Sequence, residues 1–311
     1  MTEISSPLWL GKQDREDSPL ALRWHNKVTR LSPSAQPGTC LIGFPCDLGV
    51  RKSKGRHGAA KGPEAIRRAL ANLAWHLDKP VYDAGNLDCE WFELSKAQAD
   101  LGTMVADILA KKHFPIVLGG GQELAFGCYQ GLDKQLPASA KIGVINFDTH
   151  FDIRSDQDGG SSGSQFYQIM KHAKEHQREL QYLCLGVSQI SNSQALFQRA
   201  KAFQVKYKYD TELHWNNIDV VKAVIKSFIN EMDAIYISVD LAVLPAYIAP
   251  GVSAPAAYGM PLELLEHLIL TVKKHGQSKL KLADISEYNP NFDQDNRTAN
   301  VAARLISQLA K

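Results

Sequence analysis

Charge of one sign is what this 311-residue chain most lacks. Its 35 lysines and arginines face 33 aspartates and glutamates, leaving a net charge of +2. No global field draws such a protein to nucleic acid or to a membrane surface, so recognition falls to local groups. Cysteine is scarce as well. Cys40, Cys46, Cys89, Cys128 and Cys184 are scattered, odd in number and form no CxxC pair. That excludes a disulfide framework and a thiolate zinc site, and points to reduced thiols in the cytoplasm. Long hydrophobic runs are missing too. The longest, Ala234 to Val252, is broken by Asp240, Pro245 and Pro250, falls short of a membrane span, and reads as a buried strand with a loop behind it. Met1 to Leu20 carries acidic and polar residues throughout, so no signal peptide is expected. Repeats, low-complexity tracts and convincing linkers are absent. The expectation is one domain over 1–311, with 1–39 as an N-terminal arm punctuated by Pro33, Pro37 and Gly38.

What is present is the pattern of an α/β protein. Short Val/Ile/Leu-rich runs without polar alternation occur at Cys40–Phe44, Val81–Ala84, Pro115–Leu118, Ile142–Phe147, Gln181–Leu185, Phe203–Tyr207, Ala234–Val239 and Lys281–Ile285. Strands covered on both faces look like this. Helical spacing fills the intervals, as after Gly62-Pro63-Glu64 and over Ser95–Lys112, Trp215–Glu231, Leu262–His275 and Thr298–Leu309, with Pro63 suited to a first turn. The expected architecture is a three-layer α/β/α sandwich around a mainly parallel sheet of about eight strands. In open parallel sheets ligands collect outside the carboxyl ends of the strands, so the polar residues following each strand deserve the closest reading.

Four strand ends carry such residues. Gly119-Gly120-Gly121-Gln122-Glu123 follows one, where bare backbone can approach a ligand or simply make a tight turn. Asp148-Thr149-His150-Phe151-Asp152 follows another. If extended, it points Asp148, His150 and Asp152 the same way, a donor set suited to Mn²⁺, Zn²⁺ or Fe²⁺. The competing reading makes the carboxylates helix caps and His150 a hydrogen-bonded core residue. Asp240 ends a third strand, ahead of the loop Ala249-Pro250-Gly251-Val252-Ser253-Ala254-Pro255, and Glu287 follows the last in Asp284-Ile285-Ser286-Glu287-Tyr288-Asn289-Pro290. Taken singly, Asp240 suits a turn, and Glu287 either orients a cationic substrate or lies in solvent.

Taken in order, these motifs resemble the arginase (ureohydrolase) family, and the resemblance runs nearly end to end. Leu8-Trp9-Leu10-Gly11-Lys12 with Arg23-Trp24-His25, the stretch Gly43 to Val50, Lys54 to Pro63, Ser161-Ser162-Gly163-Ser164 and the 249–255 loop resemble the formimidoylglutamases within it. The resemblance implies an arginase-like fold, a homo-oligomer, and hydrolysis of linear amidines by water activated at a dimanganese centre. The implied substrate is amino-acid-like, N-formimidoyl-L-glutamate, an intermediate of histidine degradation. It further implies that Asp148 and Asp240 bridge two Mn²⁺ ions, that Asp152 binds the first and His150 the second, and that Glu287 holds the cationic amidine. Asp152 is also the candidate for handling the proton. Arg154, Ser161, Ser162 and Gly163 fall where the family grips the amino-acid end. Two positions depart from the pattern: Gln122 stands where the family has His, and Ala242 where it has Asp. These departures keep a second reading open, a non-catalytic relative that binds an amino-acid-like ligand or a partner. A third reading, an agmatinase or guanidino-acid hydrolase, is disfavoured by the arm and the Ser-Ser-Gly segment.

Overall fold

Aliphatic and β-branched runs that cannot leave either face in water form the centre of the molecule. The structure, a computed structural model, describes residues 8–13, 20–89 and 93–311. The strands are β1 (Thr29–Arg30), β2 (Thr39–Phe44), β3 (Val81–Asn86), β4 (Phe114–Gly119), β5 (Ile142–Phe147), β6 (Leu180–Val187), β7 (Lys206–Tyr209), β8 (Ala234–Asp240) and β9 (Leu280–Ser286). They join one sheet in the order β1-β3-β2-β4-β9-β8-β5-β6-β7, and every pairing is parallel. The expected count was about eight. The extra member is β1, two residues paired with the outer side of β3 and too short to show in the sequence. The strand expected at Phe203–Tyr207 starts later. A preceding helix runs to Ala202, and Phe203 and Val205 donate back to Arg199 and Ala200 carbonyls, so the chain is still turning there. Of the expected arm, residues 1–7 and 14–19 lie outside the described residues.

The helices are α1 (Trp24–Lys27), α2 (Leu48–Lys52), α3 (Gly62–Ala71), α4 (Leu94–Ala110), α5 (Leu124–Gln135), α6 (Gln165–Glu175), α7 (Gln194–Ala202), α8 (Ile218–Asn230), α9 (Leu262–Gly276) and α10 (Arg297–Ala310). Ile66, Leu70, Val221, Ile225, Leu265, Leu268, Leu305 and Ile306 place α3, α8, α9 and α10 in the core on one face of the sheet. Leu101, Val105, Leu124, Phe166 and Leu196 place α4 to α7 in the core on the other. Both layers exclude water from the strands, which accounts for their unbroken apolar character. No helix among the described residues is long and apolar enough to cross a membrane.

Helix α5 contains Gly127 and Gly131, which lower helix propensity. Their value lies in packing. A Cβ at Gly127 would sit 2.6 Å from the Gln98 carbonyl oxygen, and one at Gly131 2.6 Å from that of Gly102. The α4 and α5 backbones therefore meet directly, and the seam braces the turn that leads from β4 into α5.

One buried ion pair fastens the described part of the arm. Arg67 of α3, fully buried, meets Asp83 of β3 through Nε at 2.8 Å and Nη2 at 2.9 Å. Trp9 donates its indole N–H to the same carboxylate at 2.7 Å. Removing the guanidinium leaves a buried charge uncompensated, which costs about 3–5 kcal/mol. Arg67→Met is therefore expected to lower the urea midpoint by that amount of stability. An unchanged midpoint would show the pair to be dispensable.

Candidate metal centre

The carboxyl ends of β4, β9, β8 and β5 lie side by side in the sheet. Gln122, Glu287, Asp240 and Asp148 follow or end these four neighbours, so residues up to 165 positions apart in the chain come together by strand order alone. Gly120 and Gly121 make the approach possible. Their N–H groups donate to the Phe44 and Cys46 carbonyls at 3.0 and 2.9 Å, and a Cβ on Gly120 would collide with the Cys46 carbonyl. Glu287 N donates to Gly120 O at 2.8 Å. In return Gln122 N donates to Glu287 Oε1 at 2.9 Å.

Asp148, His150 and Asp152 converge, with one ligand atom from each lying within 4.8 Å of the others. They do so by a route other than the expected extended one. Asp148 Oδ1 accepts the His150 backbone N–H at 2.8 Å and lies 3.4 Å from His150 Nδ1, which bends the chain at once. Asp152 then takes a φ of +51°, a left-handed conformation uncommon outside glycine. Glu287 shares this feature at +66°. Each such residue costs of order 1–3 kcal/mol and persists where the surroundings impose it. Asp240 is buried, and its Oδ1 accepts the Ala242 N–H at 2.6 Å.

A cavity of about 150 Å³ opens over these groups. His150, Asp152, Asp240, Ala242 and Glu287 line it together with Arg154, Ser162 and Gly163 and with Ser53, Ser253 and Ala254; Ser162 Oγ donates to Ser53 Oγ at 3.1 Å. Arg154 N donates to Gly163 O at 2.9 Å, and Ser161 N to Ser164 Oγ at 2.8 Å. Thus Arg154 and the 161–164 segment are neighbours, although Ser161 itself does not line the cavity. Sequence reasoning passed over Gln165, whose Nε2 donates to Asp152 Oδ2 at 2.6 Å. Its one signal was its place directly after the Ser161–Ser164 segment. Ser53 was missed as well, and nothing in its local sequence marks it. Arg56 proves structural: its guanidinium donates to Val252 O at 2.8 Å and Ser253 O at 3.0 Å, which pins the 249–255 loop beside the site.

The electrostatics favour a cation. Burial raises the Asp152 carboxyl to about 8, with the Asp148 charge adding to it. Burial also raises Glu287 to about 7, against the Gln122 N–H that stabilises its charge. Asp240 is driven well above the carboxylate range by burial and by Asp148. Burial works against a charge on His150, but the hydrogen bond and charge of Asp148 outweigh it and lift the imidazole to about 9. Carboxylates this crowded hold protons or a metal ion rather than bare charge. Oxygen and imidazole donors converging on one point suit a divalent ion of the manganese class, so the residues fit such an ion.

The profile of the arginase family matches residues 38–311. A formimidoylglutamase of Aeromonas salmonicida is 50% identical over 306 residues, covering 98% of this chain and 97% of its own. Among solved structures, the formimidoylglutamase of Bacillus subtilis superposes with a TM-score of 0.85 at 22% identity, over 99% of this chain and 94% of that one. Formiminoglutamase of Trypanosoma cruzi, solved with Mn²⁺, gives 0.78 at 26% identity over 89% and 95%.

Proposed function

The chain belongs to the arginase family, and from that premise we propose that it hydrolyses N-formimidoyl-L-glutamate to L-glutamate and formamide. The observation that carries this reading is the meeting of Asp148, His150 and Asp152 beneath a small cavity that also exposes Asp240, Glu287 and Arg154. Relatives named formimidoylglutamase at up to 50% identity over nearly their whole length support the choice of substrate. Asp148, His150, Asp152 and Asp240 would hold manganese, which when bound would supply the Lewis acidity that makes water nucleophilic near neutral pH.

The protein's own groups do the rest. Glu287, fixed by the Gln122 N–H, pairs with the cationic amidine and turns its carbon toward the floor of the cavity. The oxygen of water bonds to that carbon and becomes the formamide carbonyl, the bond to the glutamate nitrogen breaks, and both water protons pass to that nitrogen, one by way of Asp152, so that it leaves as the ammonium of glutamate. Arg154, with Ser162 and Gly163 beside it, holds the carboxylates of the glutamate end. A cytoplasmic homo-oligomer acting on this small molecule completes the reading.

Steady-state assay with Mn²⁺, following formamide and glutamate, tests it. Turnover of N-formimidoyl-L-glutamate without turnover of agmatine is expected. Binding of the substrate with no turnover would overturn it in favour of the non-catalytic reading, which Gln122 and Ala242 motivate. Charged hydrogen bonds of the kind assigned to Arg154 contribute about 1.5–3 kcal/mol. Arg154→Ala is thus expected to raise KM by at least about tenfold with kcat little changed. An unchanged KM would remove Arg154 from the binding site.

A further inference from the structure

We infer that Glu123, which does not line the cavity, is a positioning residue for substrate specificity: through α2 it sets where Ser53 and Ser162 stand to receive the glutamate tail. The inference rests on the proposed reaction and deepens it. Helix α2 has five residues, too few to hold a helix by themselves. A helix start leaves backbone N–H groups without partners, and the residue ahead of it normally supplies an acceptor. Asp47 stands in that place, but its side chain caps nothing. Its carboxylate is committed to Arg51 Nε at 2.9 Å and to Gly58 N at 2.6 Å. The acceptor comes instead from 74 positions away in the chain, where Glu123 Oε1 takes the Gly49 N–H at 2.8 Å.

Packing alone would not select a glutamate here. Glu123 is fully buried, and its Oε2 finds no partner among the described residues. An unsatisfied buried polar atom lowers stability, so an apolar side chain would serve the core better. Burial, with Cys46 and Glu287 close by, raises the carboxyl well above the usual range, so the group stands as a neutral acid. What its Oε1 secures lies at the other side of α2. A Cβ on Gly49 would stand 2.7 Å from Glu123 Cδ and 2.7 Å from Ser162 N, so the carboxyl and the Ser162 backbone both press on Gly49. Ser53, directly after α2, accepts the Ser162 hydroxyl at 3.1 Å. A Cβ on Gly163 would stand 3.1 Å from Arg154 Cδ. Contacts thus run without a break from the β4 turn to the wall that faces the substrate tail, and α2 is the back-stop of that wall.

Two substitutions in the full chain test this. Glu123→Leu keeps the bulk and strands the Gly49 N–H. It is expected to raise KM for N-formimidoyl-L-glutamate at least about fivefold, the lower end of what an unpartnered buried donor costs. Binding of L-glutamate, read by calorimetry, should weaken by the same factor, while kcat and bound Mn²⁺ stay within about twofold of the parent. Glu123→Gln keeps the acceptor and matches the neutral acid, so it should recover the parent KM to within about twofold. An unchanged KM in Glu123→Leu overturns the inference, as does a Glu123→Gln no better than the leucine variant. Loss of Mn²⁺ and kcat in step with KM also overturns it, because the residue would then be holding up the fold at large. Should Glu123→Leu fail to fold, Gly49→Ala decides, since its Cβ would force α2 and Ser162 apart; an unchanged KM there overturns the inference. A parent that neither turns over N-formimidoyl-L-glutamate nor binds L-glutamate sinks the proposed reaction and this inference with it. Normal turnover in the parent with an indifferent Glu123→Leu sinks the role of Glu123 alone.

Discussion

Asp148→Asn is expected to abolish turnover, lowering kcat/KM by more than about 100-fold, the upper end of what changes behind a metal ligand cost. Asp148 is fully buried and serves two sides at once. Its Oδ2 is turned toward Gln122 and its Oδ1 holds the His150 N–H. Asparagine keeps the shape and removes the charge, so cation binding is lost while packing survives. Folding should not suffer, because a charge held among other carboxylates is replaced by a neutral amide. Metal content, melting temperature and steady-state rate measured on one preparation check this. Retention of more than a tenth of the parent activity would remove Asp148 from the centre.

The second large effect concerns the two departures from the family pattern. Ala242 lines the cavity, and its N–H already holds Asp240 in place. An aspartate there would add a carboxylate to the lining of the cavity that His150 shares. The double change Gln122→His and Ala242→Asp is expected to raise Mn²⁺ affinity and to increase hydrolysis by at least about tenfold. The gain follows from ligand number, because each added donor must be deprotonated and in place before it contributes. A double variant that binds no more metal than the parent would mean that positions 122 and 242 do not face the ions.

Much of this was legible in the sequence, for reasons that differ between elements. The central strands announce themselves because burial on both faces removes polar alternation, and the ranges of β5 and β8 follow directly from that. The candidate carboxylates stood out because they follow strand ends, where the fold class alone gives them a meaning. Helix α5 was marked only as a start after the glycine turn, without bounds. Gly127 and Gly131 argue locally against a helix, and only contact with the α4 backbone explains them. The 148–152 segment was read as extended, yet the bond from His150 N to Asp148 Oδ1 bends it. A side chain bonding two residues ahead outweighed the strand it follows. Gln165 and Ser53 reach the site from α6 and from the end of α2 through tertiary placement, and a single sequence carries little trace of that.

The glycine seam between α4 and α5 also decides which part of the pocket can adapt. The turn from β4 is stitched to β2 and β9 by backbone hydrogen bonds, and Gln98 of α4 grips the Glu123 carbonyl at 2.8 Å from behind. Helices in backbone contact leave no slack for sliding. The half of the centre built on Gln122 and Glu287 therefore behaves as an anvil. Accommodation to an incoming glutamate tail must come from the opposite side, where Arg154 and Ser162 ride on a loop between β5 and α6. Selection among amino-acid substrates thus belongs to that loop, and can drift with its sequence while the anvil stays unchanged.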